Sequence, residues 1–312
     1  MLVPFATCSA AECAAALRSL ALPNLQRLLG RMGIEADDAG DPASLSTPHE
    51  RAVARAYGLE PADGLVPLAA LHVRQAGGEA AGPGWAWVYP AHWRVGADHV
   101  AMAHPQELQL DAEDSRALLE AMRPWFAEDG IELTYDAPLR WLARGDLFRT
   151  LPTASLDRVV GRRIDRWLPS GDAGRPVRRL QQEMQMLLYT LPLNDARQRG
   201  GLLPVNSFWV SGSGPLPADT AARPVDPVQV THYLRDAALV GDWQGWAAAW
   251  QQFDARDSVR LLGELDRGRA VRLTLCGEAG ARTWSSARAP GGWKRFTRLF
   301  AAPDAATLLE GL

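Results

Sequence analysis

The chain runs to 312 residues, 47% hydrophobic and 22% charged, with a formal net charge of -3. That composition excludes wholesale disorder, and so small a charge gives no electrostatic reason to expect nucleic acid as a partner. No stretch approaches the roughly 18 apolar residues of a membrane-spanning helix, and the length suits two modest domains or one core with a large insertion. Lys294 is the single lysine, so 32 of the 33 basic residues are arginine and any catalytic lysine would have to be Lys294. A GC-rich genome accounts for this bias. The functional alternative is anion recognition by planar guanidinium groups, which needs arginines that converge. Cys8, Cys13 and Cys276 have no metal-ligand spacing. Their odd number argues against a disulfide framework and favours a reduced, cytoplasmic setting. The opening "MLVPFATCSAAECAAALRSLALP" has no basic segment, and Glu12 and Arg18 interrupt it, so it is not read as a secretory signal.

In chain order, "MLVPF" reads as a short buried strand and "SAAECAAALRSL" as a helix with Ser9 as its cap. "LPNLQRLLGRMG" is a second helix, with Leu25, Leu28 and Leu29 on its apolar face and Gly33 at its end. The acidic stretch 35–46 reads as a loop. "TPHERAVARAYGLEP" (47–61) reads as a loop running into a helix, and the Gly-rich stretch 74–84 as a linker or tip. "WAWVYPAHWRV" is an aromatic strand, followed by a helix over "LDAEDSRALLEAMRPWFAEDG" capped by Asp111 or Asp114. "IELTYD" and "PLRWLARG" read as antiparallel strands, so 81–168 forms a compact α+β unit. "PVRRLQQEMQMLLYTLPLN" is an amphipathic helix, and "SFWV" (207–210) is an apolar strand ending in a Gly-Ser-Gly turn. The Pro-rich stretch 214–227 is an exposed connection. Trp243, Trp246, Trp250 and Phe253 recur at helical spacing and read as a buried helix face rather than a ligand platform. "AVRLTLCG" is a late strand, and "WKRFTRLFA" (293–301) a last strand or helix.

A strand that ends in a Gly-rich turn is a common place for a ligand in an open α/β sheet. "PVNSFWVSGSG" (204–214) nevertheless carries neither a Walker nor a dinucleotide spacing. The longer segment "LNDARQRGGLLPVNSFWVSGSG" resembles a signature of archaeal-type cofactor-independent phosphoglycerate mutases, members of the alkaline phosphatase superfamily. Asn194, Arg197, Pro204, Asn206, Gly212 and Gly214 stand at the corresponding positions. Further pieces follow in the same order over roughly residues 1–215. "LPNLQRLLGRMG" is similar to that family's segment before the nucleophile, "TPHERAVARAYGLEP" to its nucleophile loop and following helix, and "GLVPLAAL" to the next conserved piece. "GWAWVYPAHWRV" falls where the family's inserted domain begins. The resemblance implies an α/β fold, an alkaline-phosphatase-like three-layer core with an inserted α+β domain. The core would take residues 1–80 and 200–312, and the insertion 81–199.

The same resemblance puts His49 where the family has its nucleophilic serine, and Glu50 where it has the adjacent aspartate. "VPFATCS" has no acid at the first metal-ligand position, and Glu278-Ala279 stands where an Asp-His pair is expected. His232 is the one histidine of the last hundred residues. Two-metal phosphoryl transfer needs several carboxylates and histidines around each ion, so no metal is expected. His49 and Glu50 are the catalytic-loop positions of a site inactive on this reading. A histidine is a competent nucleophile, and Ser44, Ser46 or Thr47 would serve if the loop register differed. Asn206, Ser211 and Ser213, with Arg149, Arg158 and Arg162, are the candidate ligand-binding residues.

His92, His99 and His104 have no known ligand spacing. Arg158, Arg162, Arg163 and Arg166 would, if helical, form either a solvated salt-bridging row or an anion pocket reached with Arg149. Three functional readings follow. The first is a non-catalytic relative of the mutases, akin to the bacterial RpfE-type regulatory proteins. It would bind a small anionic, phosphorylated ligand or a protein partner, without cofactor, nucleic acid or membrane. The second is an active mutase or phosphotransferase with Mn or Zn on remodelled ligands drawn from His49, Glu50, His232, Asp236 and Glu278. A third treats the Trp-rich helix as an exposed docking face.

Overall fold

The structure is a computed structural model describing residues 1–224 and 228–289, with Thr307, Leu309 and Leu312. It is a mixed α/β structure whose contacts divide into two units, Met1–Ala43 with Pro227–Leu312, and Ser44–Asp226.

In the first unit β1 (Leu2–Val3) is buried, and α1 (Ala11–Ser19) buries Cys13 and Leu17. Ser9 does not cap α1: Ala10 holds the cap position, and Ser9 donates its N–H (2.7 Å) and its hydroxyl to Glu278. Helix α2 (Pro23–Gly30) buries Leu25, Leu28 and Leu29 as their spacing predicts. The acidic stretch read as a loop contains a strand, β2 (Gly33–Asp38). It shows no alternation because it lies at a sheet edge. Its Glu35 and Asp37 pair with Arg272 (2.7 Å) and Arg282 (2.9 Å) instead of burying apolar groups.

The second unit begins with α3 (Pro48–Ala56) and α4 (Leu68–Gln75). Then come β3 (Trp85–Ala91), β4 (Trp93–Val95), β5 (Val100–Met102) and α5 (Ala112–Glu128). Asp111 caps α5 by accepting the Asp114 N–H at 2.8 Å. Strands β6 (Glu132–Ala137) and β7 (Arg140–Arg144) form the expected antiparallel pair. Helices α6 (Arg175–Tyr189) and α7 (Pro192–Arg199) lead to β8 (Ser207–Gly214). Four of these strands make an antiparallel sheet in the order β6-β7-β3-β8. One face, with Ala86, Val88, Trp141, Phe208 and Val210, packs on the apolar sides of α5 and α6. The other face meets α4 through Trp85 and Leu142. The sequence reading put the chain's breaks at 80/81 and 199/200. The β3–β8 pairing brings residues 207–214 into the same sheet as 85–91.

Two local expectations change here. The Gly-Ser-Gly segment is not a turn after a strand, because β8 runs through it to Gly214. Gly212 (φ 69°) and Gly214 (φ 144°) sit where the pairing with β3 shifts register between Trp85 and Trp87. A Cβ on Gly212 would lie 2.9 Å from the Trp87 ring, and one on Gly214 2.1 Å from the Leu65 carbonyl oxygen. Glycine is there for close packing, not to cradle a phosphate. The arginine row is not one helix either. Gly161, at φ 68°, interrupts it and donates to the Met102 carbonyl (2.9 Å), leaving short 3₁₀ turns at Leu156–Arg158 and Asp165–Trp167.

The chain returns to the first unit as α8 (Tyr233–Leu239), α9 (Trp243–Gln252), α10 (Val259–Asp266), β9 (Arg272–Cys276) and β10 (Ala281–Ser285). The sheet order is β1-β9-β10-β2, parallel only between β1 and β9. Trp246, Trp250 and Phe253 are fully buried, so the Trp-rich face is core. Between α9 and α10 a π-helical stretch, Phe253–Ser258, carries the buried Asp254 to the start of α2. There its carboxylate accepts from Leu25 N–H (2.7 Å), Asn24 N–H (3.3 Å) and the Asn24 amide (3.0 Å). The expected element at 293–301, and Lys294, lie outside the described residues. Among the described residues no helix is long and apolar enough to cross a membrane.

Candidate functional site

The second unit gathers most of the expected site residues around the start of α3. Asp63 builds the loop leading into it, accepting the Ser44 hydroxyl (2.6 Å) and the N–H groups of Leu45 (2.8 Å) and Ser46 (2.9 Å). Burial would raise the Asp63 carboxyl, but the hydrogen bonds from Ser44, Ser46 and Leu45 outweigh it and hold the group below its ordinary range. The Ser46 hydroxyl accepts from Gly64 N–H at 2.8 Å. Ser44 and Ser46 are thus engaged in holding the loop.

Thr47 and Glu50 then form a capping box, with the Thr47 N–H donating to Glu50 Oε2 at 2.9 Å. The Glu50 carboxylate serves the helix end rather than standing ready as a base. His49 projects from the same turn, and its Nε2 lies 3.1 Å from Thr47 Oγ1 and 3.2 Å from Asp157 Oδ2. Both contacts use one ring nitrogen. A nucleophile–base–orienter relay needs two, one toward the hydroxyl and one toward the carboxylate. The arrangement therefore orients the imidazole without linking Thr47 to Asp157 through it. Asp157 and Arg158 are buried, and Arg158 donates to the Ser46 carbonyl (3.2 Å), as does Arg51 (2.8 Å).

Tyr89 of β3 borders this cluster. Burial pushes its phenol well above the ordinary range. Arg140 and a hydrogen bond with Ser211 act against that shift, and the charges of Glu50 and Asp157 add to it. Ser211 is buried on β8, in register with Trp87 of β3.

Beside the cluster, Arg158, Arg162, Arg163 and Arg166 line one cleft of about 400 Å³ with Asp165 and Trp167. The Arg166 guanidinium lies 4.4 Å from the centre of the Trp167 ring, and that of Arg158 lies 5.7 Å away. Arg163 leans on Asp165 (3.5 Å) and on the Asp98 carbonyl (3.2 Å). The arginines converge through turns rather than along a helix.

The other expected residues serve the backbone. Asn206 clamps Trp93, accepting its N–H (2.7 Å) and donating to its carbonyl (2.9 Å). Ser213 bonds to Leu151 O (2.7 Å) and Thr153 Oγ1 (2.8 Å). Arg149 donates to Gly82 O (2.7 Å) and is not among the residues lining the arginine cleft. His92 bonds Pro204 O (2.8 Å), His99 bonds Asp98 (2.7 Å), and His104 accepts from Gln106 N–H (3.2 Å) in capping its own short turn. Asp157, Asp63, Tyr89 and Trp167 were not singled out from the sequence; no spacing links 49 to 157 or 63 to 44.

Among the described residues no three His, Cys, Asp or Glu side chains are grouped to hold an ion. Of the remodelled ligands considered above, Asp236 pairs with Arg235 (2.9 Å) and Glu278 is bonded to Ser9.

No family model matches the chain, and no curated protein matches it. Among solved structures it is similar to the cofactor-independent phosphoglycerate mutase from Thermoplasma acidophilum. The identity is 12% and the TM-score 0.35, over 95% of this chain and 94% of that one. It is also similar to the PH0037 protein from Pyrococcus horikoshii, at 10% identity and a TM-score of 0.38 over 95% and 91%. At such scores neither likeness bears on what the cluster around His49 does.

Proposed function

We propose that the chain is a non-catalytic relative of the cofactor-independent phosphoglycerate mutases, with an alkaline-phosphatase-like ancestry. On this reading it binds a small phosphorylated or carboxylated anion in a regulatory role. The observation that carries the reading is the convergence of Arg158, Arg162, Arg163 and Arg166 on one cleft. Guanidinium groups match the planar oxygen pairs of carboxylates and phosphates, and they stay charged at any physiological pH. Trp167 beneath them supplies an apolar floor that stiffens Arg158 and Arg166.

What supports the loss of catalysis is the state of the loop. His49 replaces a hydroxyl nucleophile and is held by a buried carboxylate, while Glu50 is used as a helix cap. The collinear sequence resemblance supports the ancestry.

The test is calorimetric titration of the intact protein with inorganic phosphate, pyrophosphate and 3-phosphoglycerate, alongside a mutase assay with and without Mn and Zn. Saturable binding that weakens in Arg162→Ala and Arg166→Ala, with no turnover, is expected. Metal-dependent turnover that disappears in His49→Ala would overturn the non-catalytic reading. Absence of binding by all three anions would overturn the ligand class.

A further inference from the structure

The cleft proposed to take an anion is not uniformly basic. Asp165 lines it alongside Arg158, Arg162, Arg163 and Arg166. Asp165 and Arg166 are neighbours in one short 3₁₀ turn, Asp165–Trp167, yet no ion pair joins their opposite charges. Arg166 lies over the Trp167 ring, 4.4 Å from its centre, and among the described residues no carboxylate stands within ion-pair distance of it. Asp165 instead meets Arg163, and only its Oδ2 makes that contact, at 3.5 Å.

Arg163 has a second hold, on the β4–β5 hairpin. It donates to the Asp98 carbonyl at 3.2 Å, and the Asp98 carboxylate lies 3.9 Å from its guanidinium. The backbone on either side is fixed to the same hairpin, with Met102 N–H donating to Arg162 O (3.1 Å) and Ile164 N–H to Val100 O (3.0 Å). Arg163 is thus placed and largely neutralised without Asp165. The Asp165 side chain is 51% exposed, so its carboxylate is within reach of a molecule entering from solution. The cleft, at about 400 Å³, falls among the pockets of roughly 300–1,000 Å³ that take whole small molecules. A bare oxyanion would leave most of it to water.

We propose that the ligand of this cleft is zwitterionic, a phosphorylated or carboxylated amine with its anionic end on Arg162 and Arg166 and its ammonium on Asp165. The inference rests on the anion-binding reading and narrows it. Guanidinium groups match the paired oxygens of the anionic end, whereas a primary ammonium is a compact charge with three donors that suits a single carboxylate. A ligand negative throughout would gain from the arginines but meet repulsion at Asp165. One carboxylate set among arginines therefore acts as a selector, favouring mixed charge over pure anions.

The experiment compares matched ligands by calorimetric titration of the full chain at neutral pH. O-phosphoserine and 3-phosphoglycerate share their anionic ends, and the first carries an ammonium where the second has a hydroxyl. Phosphoethanolamine and ethyl phosphate repeat the comparison without the carboxylate. The amine of each pair should bind about two- to five-fold more tightly, the yield of one solvent-exposed ion pair. Asp165→Asn should remove the difference, while Arg166→Ala should weaken both members and keep their ratio. Equal affinities within the pairs, or tighter binding of 3-phosphoglycerate, would overturn the zwitterionic ligand and leave the anion-binding reading standing. So would a preference that survives in Asp165→Asn. No binding by any of the four would overturn both. The wild-type comparison decides the matter without a variant, and Asp165, being exposed, is replaced without disturbing the core.

Discussion

Asp157 is the residue on which the His49 arrangement turns. It is buried, it receives the imidazole at 3.2 Å, and it precedes the equally buried Arg158. Leaving a buried hydrogen-bonding group without its partner costs about 1–3 kcal/mol, because that group keeps its desolvation penalty. Asp157→Ala should therefore lower the stability of the second unit by that order, and Asp157→Asn by less, since an amide oxygen still accepts. Urea denaturation followed by tryptophan fluorescence checks both. Asp63 allows a pH prediction. Its carboxyl is held below its ordinary value, so the stability it contributes is present above about pH 4, the unfolded value. That stability is lost as pH falls through the lower folded value. Asp63→Asn should be less stable than wild type at neutral pH, yet lose less on acidification to about pH 3. Equal acid slopes for the two proteins would contradict this. At this scale the reading of 47–61 as a loop running into a helix put His49 and Glu50 at the start of a helix, as α3 has them, but their partners were not legible. Asp157 and Asp63 reach them through tertiary folding, and an isolated aspartate in "SLDR" or "PADG" carries no signal of that.

Among the elements, those with strong periodicity were readable and those defined by their neighbours were not. The apolar faces of α2, α5, α6 and α9 appear where the spacing puts them, because a helix that must bury one stripe advertises it. Strand β2 was hidden because its stability comes from arginines on other strands, and β8 was cut short because its glycines look like a turn. The latter gives a sharp test. At Gly214 a Cβ would meet the Leu65 carbonyl oxygen at 2.1 Å, in a backbone conformation that L-residues rarely adopt. The listener to such a clash is backbone, which cannot swing aside. Gly214→Ala should cost about 1–3 kcal/mol or more in stability, whereas Gly201→Ala, with the same sign of φ but open space around it, should cost less. Thermal melts of the two variants separate a packing requirement from a conformational one. Asp254 offers the parallel case in the first unit. It caps α2 from a π-helical stretch far along the chain, and Asp254→Ala should cost about 1–2 kcal/mol, the usual loss for a helix cap.

For the molecule as a whole, the division of the chain decides what can be separated. The first unit is assembled from two stretches, Met1–Ala43 and Pro227–Leu312, while the second is one uninterrupted run, Ser44–Asp226. The second owns a complete core, from Ala86 to Val210, with sheet and helices both inside its own boundaries. Its hydrophobic cluster, the Asp63 cage and the arginine cleft all lie within it. A fragment spanning 44–226 should therefore fold alone, with a cooperative melt and buried-tryptophan fluorescence, since a domain needs its own core and few dependencies beyond it. It should also keep the anion affinity of the full chain, because no residue of the cleft is left behind. The salt response tells whether that affinity has the proposed origin. Arg162, Arg163 and Arg166 are exposed, so their attraction for an anion is screened within about 8–10 Å at physiological ionic strength. Raising salt from 50 to 500 mM should weaken phosphate binding several-fold in both the fragment and the full chain, through the same screening. A fragment that folds but binds no anion, when the full chain does, would move the binding site out of the arginine cleft. A salt-independent affinity would assign it to buried hydrogen bonds instead.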